Sequence, residues 1–315
     1  MSTLPVQQAH AIVAVPEEGR WLIEGLWAEQ AVGIIGGEPK CCKSFLALDM
    51  AVSVASGSAC LRHYRVVRPG CVLLYAAEDA LHVVRERLDG ICRAAGVDLR
   101  SLDIRVITVP TLRLDRPEDQ KRLDETVSAI EPRLLVLDPF VRLHRIDENV
   151  SSEVAPLLAQ LRELERRHHV AVALVHHARK GGGARPGQAL RGSSELHAWG
   201  DSNLYLQRVR EQLTLTIEHR AAASPPSVTI ELRADGDALA LRLVAGPSVS
   251  PPTPTAPSQS DRVFEVLALA SEPMRLKTLR ERCGIRMQRL CEILAGLVSD
   301  GRVRKIVGGY ESVKP

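Results

Sequence analysis

Short apolar runs alternate with amphipathic stretches through the first two thirds of the chain. The runs at residues 31–35 (AVGII), 71–76 (CVLLYA) and 170–175 (VAVALV) are apolar almost throughout, which is typical of strands buried on both faces. Further strands are predicted at residues 104–109 and 134–137, and helices at 43–55, 81–95 and 150–168. This alternation predicts an α/β fold with a mainly parallel sheet that helices cover on both faces.

The pattern changes after Gly200, where four apolar runs are joined by short polar turns. They comprise residues 204–208, 213–219, 228–233 and 239–244. Turns of this length connect antiparallel neighbours, so we expect the sheet to continue as an antiparallel extension.

A boundary follows at residues 246–260, where five residues are Pro and six are Ser or Thr. Such a segment has little to bury, so it is predicted to be a linker. The expected organisation is therefore an α/β domain at 1–245, the linker, and a small domain at 261–315.

The small domain carries the basic excess of the chain. It has 11 Lys/Arg against 7 Asp/Glu, whereas the whole chain has a net charge of +3. Helices are predicted at residues 261–270, 276–283 and 287–300, and a hairpin at 302–313. This order resembles a winged helix-turn-helix module, whose third helix would enter the major groove of duplex DNA.

Arginines at the start of that third helix, Arg286 and Arg289, are candidate DNA contacts, and Arg302, Arg304 and Lys305 lie on the predicted wing. The alternative is a module that binds another protein and has a solvated basic face. The charge of the tail favours an anionic partner.

The sequence GGEPKCCKS, between the strand at 31–35 and the helix at 43–55, is typical of a phosphate-binding loop, or P-loop. Gly37, Lys43 and Ser44 match G-x-x-x-x-G-K-[ST], but Cys42 stands at the second glycine. Lys43 is expected to reach the phosphates of ATP, and Ser44 to ligate Mg²⁺. The candidate nucleotide-binding residues are Gly37, Glu38, Pro39, Lys40, Cys41, Cys42, Lys43, Ser44 and Phe45.

Two carboxylates end neighbouring apolar strands. Asp138 closes RLLVLDPF and is the candidate second Mg²⁺ group. Glu78 follows the strand VLLYA and is the candidate catalytic base, with Asp79 as the adjacent alternative. Ligands of open α/β sheets bind beyond the carboxyl ends of the strands, so both acids are expected beside the P-loop.

Taken in order, GGEPKCCKSFLALDMAVSVASG, VLLYAAED, LLVLDPFVRLHRIDEN, VALVHHARK and LRGSS resemble the RepA-like hexameric replicative helicases and the wider RecA-like ATPases. The resemblance covers about residues 20–220. It implies that Glu78 is the catalytic base, that Asp138 is the strand-end acid, and that His176 and His177 sense the γ-phosphate. The resemblance also includes the acidic loop Asp147, Glu148 and Asn149, to which the sequence assigns no role.

The resemblance further implies a homo-oligomer, for which a hexameric ring is one candidate, with single-stranded DNA in a central channel. Lys180, Arg185 and Arg191, in and around a glycine-rich loop, are the candidate channel contacts, although a surface loop with ordinary charges is an equal alternative. The helicases carry an arginine finger after RGSS, where this chain has Asp201. Arg208 and Arg210 are the remaining candidates.

Composition excludes several other classes. The seven cysteines form no CxxC pair, so neither a disulfide framework nor a structural zinc site is expected. We find no signal peptide and no apolar run of 18 residues, so we expect a cytoplasmic protein without a membrane partner. Aromatic residues make up only 3% of the chain, so contacts with DNA are expected mainly at phosphates.

The sequence leaves two functions open. The first is an ATP- and Mg²⁺-dependent ATPase or helicase that acts in DNA replication. The second is an ATP-gated DNA-binding regulator or loader with little turnover, which Cys42 and the missing arginine finger favour. A small-molecule kinase is disfavoured, because it would not explain the basic tail.

Overall fold

The computed structural model describes residues 4–13, 16, 19–177, 194–209, 212–236, 238–244, 259–270, 272–284, 287–299, 302–306 and 309–312. The chain divides into two compact units, Met1–Ala245 and Gly246–Pro315. We call them the P-loop unit and the C-terminal unit. In the described residues, no helix has both the length and the apolar character that crossing a membrane would require.

The P-loop unit begins with a small hairpin that was not predicted, formed by β1 (Trp21–Ile23) and β2 (Trp27–Ala28). Its central sheet has nine strands within the described residues. They are β3 (Val32–Gly37), β4 (Val72–Ala76), β5 (Ile104–Val106), β6 (Leu134–Asp138), β7 (Ala171–His177), β8 (Ser202–Val209), β9 (Gln212–His219), β10 (Val228–Asp235) and β11 (Ala238–Leu243).

The spatial order of the strands is β11-β10-β9-β8-β3-β7-β6-β4-β5. The pairs from β8 to β5 are parallel, and those from β8 to β11 are antiparallel. The predicted α/β fold class, a mainly parallel sheet with an antiparallel extension, is confirmed. Strand β7 lies between the strand that enters the P-loop and the strand that ends at Asp138.

Helices cover both faces of this sheet. They are α1 (Lys43–Ser56), α2 (Leu81–Ala95), α3 (Pro117–Ile130), α4 (Ser151–His168) and α5 (Ser194–Trp199). Helices α1 and α2 bury their apolar residues on one face, and α3, α4 and α5 on the other. The alternating side chains of β7 are divided between the two cores, with Val175 on the α1 side and Leu174 on the α4 side.

The C-terminal unit has a core of its own, which includes Val263, Leu279 and Leu294. Its elements are α6 (Gln259–Ala268), α7 (Leu276–Cys283), α8 (Met287–Ser299), β12 (Val303–Ile306) and β13 (Gly309–Ser312). The two strands pair as an antiparallel hairpin. Three helices followed by a hairpin is the element order expected for this part of the chain.

Candidate nucleotide-binding site

The carboxyl ends of four parallel strands meet at one edge of the sheet. The register places Gly37 of β3 beside His177 of β7, and Ala76 of β4 beside Asp138 of β6. A pocket of about 280 Å³ opens at this edge. It is lined by Lys40, Cys41, Cys42, Lys43, Ser44, Phe45, Glu78, Arg87, Asp138, Val175 and His177. Of the predicted P-loop residues, Gly37, Glu38 and Pro39 lie upstream of the lining.

The P-loop is tightly wound, and three of its positions have positive φ: Gly37, Lys40 and Cys42. A Cβ on Gly37 would lie 2.3 Å from the carbonyl oxygen of Leu206 in β8, so only glycine fits there. Cys42 is left-handed, with φ 65° and ψ 25°, immediately before α1. This conformation costs an L-residue about 1–2 kcal/mol and explains why a P-loop favours glycine at that position.

Lys43 is folded back onto its own loop. Its Nζ donates a hydrogen bond to the carbonyl oxygen of Glu38 at 2.8 Å, and Cys41 Sγ lies 3.9 Å away. Burial lowers the pKa of Lys43, although the neighbouring Cys41 and Asp138 oppose the shift. A buried cation of this kind favours an anionic partner, which phosphate oxygens would supply.

Asp138 is the most strongly perturbed acid at the pocket. Burial raises the pKa of this carboxyl to about 6, against the opposing hydrogen bond from Ser44. The nearby charges of Asp79 and Glu78 add to the rise. A hydroxyl and a carboxylate in contact fit the needs of Mg²⁺, which prefers oxygen ligands and takes few of them from the protein when nucleotide phosphates supply others. No cluster of three or more His, Cys, Asp or Glu that could hold a metal occurs among the described residues.

Glu78 and Asp79 differ in their partners. Glu78 lines the pocket, and its Oε1 accepts a hydrogen bond from Arg142 Nε at 2.8 Å. Asp79 is instead paired with Arg87 of α2, whose guanidinium lies over the ring of Phe45 at 5.2 Å. The geometry therefore favours Glu78 over Asp79 as the group that faces a nucleotide.

The two histidines at the end of β7 lie on opposite faces of the sheet. His177 lines the pocket, and burial followed by the charge of Lys43 lowers its pKa, so the imidazole is held neutral. His176 is 1% exposed and lies against Phe140 on the other face, with ring centroids 5.9 Å apart. The expectation that both histidines meet the γ-phosphate is therefore wrong for His176, because successive residues of a strand alternate between faces.

Comparison with known proteins gives the family of the chain. Residues 2–183 match the family described as AAA domain, which spans more than half of the chain. The chain belongs to the AAA domain family. Residues 2–183 are accordingly a P-loop ATPase domain. Among solved structures, the chain is similar to one titled "Crystal structure of the RadB recombinase", at 17% identity and a TM-score of 0.49, with 65% of this chain and 88% of that chain covered.

Three arginines lie beside the AAA domain pocket. Arg87 and Arg142 were not predicted, because the sequence does not show how a helix or turn is rotated about its axis. Arg208, one of the two finger candidates, lies with its Nη2 3.9 Å from Cys42 Sγ of the same chain. Asp201, at the expected finger position, is instead ion-paired with Arg162 and with Arg220.

The predicted DNA contacts are only partly described. Lys180, Arg185, Arg191, Arg210 and Arg286 lie outside the described residues. Arg289 lies on α8.

On the predicted wing, two arginines already have partners within the C-terminal unit. The guanidinium of Arg302 is 4.3 Å from the centre of the Phe264 ring, and Arg304 is ion-paired with Glu311. Lys305 is exposed on the same strand.

Proposed function

We propose that the protein binds ATP with Mg²⁺ in the pocket at the end of the parallel strands, hydrolyses it, and couples this to binding DNA. The observation that carries the proposal is the convergence of Lys43, Ser44, Asp138, Glu78 and His177 on one pocket. A cation, a hydroxyl, two acids and a neutral imidazole can each take a role in phosphoryl transfer to water.

Each group has a distinct role in the proposed reaction. Lys43 exchanges its bond to the Glu38 carbonyl for phosphate oxygens. Ser44 and ionised Asp138 would hold Mg²⁺, and the bound ion would supply charge neutralisation at the phosphates. Glu78 orients the attacking water and accepts its proton. Neutral His177 donates a hydrogen bond to the γ-phosphate.

The DNA-binding part of the proposal depends on position and charge. Strand β7 ends at His177 and continues directly into the segment that holds Lys180, Arg185 and Arg191. A change at the γ-phosphate therefore reaches this segment through only a few residues. We propose that it contacts single-stranded DNA within a homo-oligomer, with a hexamer as one form.

The C-terminal unit supplies a second proposed contact with DNA. It has three helices and a hairpin, and we propose that it binds duplex DNA as a winged helix, with Arg289 on α8 and Arg286 before it. Because Arg302 and Arg304 have partners of their own, Lys305 is the best candidate of the three wing cations.

ATP hydrolysis by the full chain, with and without single- and double-stranded DNA, tests the proposal. We expect DNA-stimulated turnover that falls at least about 100-fold in Lys43→Ala and Glu78→Gln. Asp79→Asn is the matched control, because this acid is paired with Arg87 and should leave most of the activity. The absence of both ATP binding and DNA binding would overturn the proposal.

An ATP-gated regulator or loader with little turnover is the second candidate. It is favoured by the ion pair of Glu78 with Arg142, which competes for the proposed base, and by the left-handed Cys42 in the P-loop. For this function we expect tight ATP binding and ATP-dependent DNA binding with little hydrolysis. Unwinding of a forked duplex would exclude it in favour of a helicase.

A further inference from the structure

A buried polar cluster lies on the far side of β7 from the nucleotide pocket. His176 leaves the strand on this side, and His144 lies beside it on Phe140, with ring centroids 4.3 Å apart. Glu148, from the acidic loop without an assigned role, reaches both histidines. Its Oε1 lies 3.4 Å from His144 Nε2 and 3.9 Å from His176 Nδ1.

The burial of this cluster makes it an unusual place for a carboxyl group. The side chains of His144 and His176 are 2% and 1% exposed, and that of Glu148 is 10% exposed. Burying polar groups is costly unless opposite charges or dipoles face one another. Here the facing atoms lie at ion-pair distances without forming hydrogen bonds to one another, so the charge of the Glu148 carboxylate is the interaction that links the three side chains. Core packing alone would favour apolar residues at these positions.

The cluster is directly connected to the phosphate site. His176 and His177 are consecutive in β7, and they pair with Gly36 and Gly37 at the entrance to the P-loop. A shift of His176 therefore displaces His177 with it. The charge of Glu148 also acts across the strand, since it opposes the lowering of the His177 pKa.

We propose that Glu148 is a positioning residue for the phosphate site, which holds His176 and thereby fixes the end of β7 from which His177 reaches the γ-phosphate. The inference rests on the proposed function, since it assumes that His177 contacts the γ-phosphate. Glu148 itself touches no nucleotide. It connects the phosphate site to the loop that leads into α4.

The test measures how well the full chain distinguishes a triphosphate from a diphosphate at equilibrium. The probes are ATPγS and ADP, each titrated with Mg²⁺, and the readout is the ratio of their Kd values. We expect Glu148→Gln to reduce this ratio about tenfold, because it removes the negative charge that faces both histidines. His177→Ala should reduce the ratio by a similar factor, because it removes the proposed hydrogen bond to the charged γ-phosphate. The double variant should lose no more than His177→Ala alone, because Glu148 acts through His177.

Asp147→Asn is the matched control. Asp147 is on the same loop and is exposed, but its carboxylate accepts hydrogen bonds from Asn149 and touches neither histidine. Its variant should keep the wild-type ratio. Two variants of His176 give an independent readout. His176→Asn keeps a polar group near the position of Nδ1 and should retain the wild-type Kd ratio, whereas His176→Leu has no polar group there and should lower the ratio.

The possible outcomes separate the two proposals. If the wild type binds neither nucleotide, the proposed function fails and this inference fails with it. If the wild type prefers ATPγS but Glu148→Gln keeps that preference, or if the two losses add in the double variant, only the positioning role is overturned. If Glu148→Gln does not fold, the comparison of His176→Asn with His176→Leu decides. Equal Kd ratios for these two variants would contradict the proposal.

Discussion

Replacing Asp138 with Asn is expected to make the protein more stable at neutral pH while removing its activity. Asp138 is half-buried in the pocket, and its pKa is raised from 3.8 to about 6, mainly because its carboxyl group is shielded from solvent. Its ionised form is therefore disfavoured in the folded chain. Asn has nearly the same shape and keeps a hydrogen-bonding group for Ser44, but it carries no charge.

The size and sign of the effect follow from the pKa. The rise is about 2 pKa units, which corresponds to about 3 kcal/mol of unfolding free energy. Because the folded pKa lies above the unfolded one, the folded state holds a proton that the unfolded state releases between pH 3.8 and about 6. Stability is therefore lost as the pH rises through this window, and the loss is complete above it.

Urea unfolding of the nucleotide-free wild type and Asp138→Asn, at about pH 4 and about pH 7.5, checks this prediction. The variant should gain up to about 3 kcal/mol at the higher pH and close to nothing at the lower. Its ATP hydrolysis should fall at least about 100-fold, because the carboxylate that holds Mg²⁺ is gone.

Asp79→Asn is the control for this experiment. It breaks the ion pair with Arg87, which should cost up to about 1 kcal/mol. It also removes one of the smaller causes of the raised Asp138 pKa, but burial remains, so no gain like that of Asp138→Asn is expected. An equal gain for Asp138→Asn at both pH values, or no gain at the higher one, would refute the reasoning.

Three further predictions concern the same pocket. A small thiol reagent should modify Cys42, and ATP with Mg²⁺ should slow the modification at least about tenfold, because Cys42 lines the pocket. Burial raises the pKa of the Cys42 thiol, so the modification rate should still increase above about pH 9. Peptide mapping separates modified Cys42 from modified Cys291, which is exposed. A Cys42 modification rate that ATP does not change would contradict the prediction. Gly37→Ala should lower the unfolding free energy by about 3 kcal/mol or more, since the new Cβ would lie 2.3 Å from a backbone oxygen of β8. Gly96 is also left-handed but lies in open space, so Gly96→Ala should lower the unfolding free energy by only about 1 kcal/mol. Equal shifts in the urea midpoint for the two variants would argue against the close approach of Gly37 to β8. Finally, kcat/KM for ATP should fall about tenfold per pH unit below about pH 6 as Asp138 binds a proton; a profile that stays flat to about pH 5 is the contrary result.

Much of the fold could be predicted because buried parallel strands are apolar throughout. Strands β3, β4, β6 and β7 coincide with apolar runs, and the order of motifs places their ends at one edge. The edge strand β5 is only partly buried and contains the exposed Arg105. Helix α3 was missed because only Asp119, Leu123 and Val127 are buried along it, which leaves too few apolar positions to show a helical period. The hairpin of β1 and β2 is too short for alternation to be detected.

The candidate site was predictable where chain order determines position, and not where side-chain direction does. Lys43, Glu78 and Asp138 follow strand ends, so the topology alone brings them together. His176 faces away from the pocket because of which residues of β7 point to which face of the sheet. A strand that is apolar on both faces does not show this in its sequence. The contact between Arg142 and Glu78 depends on a turn whose direction only the structure shows.

Calorimetric titration of the full chain with ATP and Mg²⁺, beside Lys43→Ala, tests the central claim most directly. If Lys43 exchanges its bond to the Glu38 carbonyl for phosphate oxygens, the wild type should bind ATP in a Mg²⁺-dependent manner. The affinity of Lys43→Ala should then be weaker by about tenfold or more, because a charge-assisted hydrogen bond is lost. Equal affinities, or no binding by the wild type, would contradict the assignment of this pocket to a nucleotide.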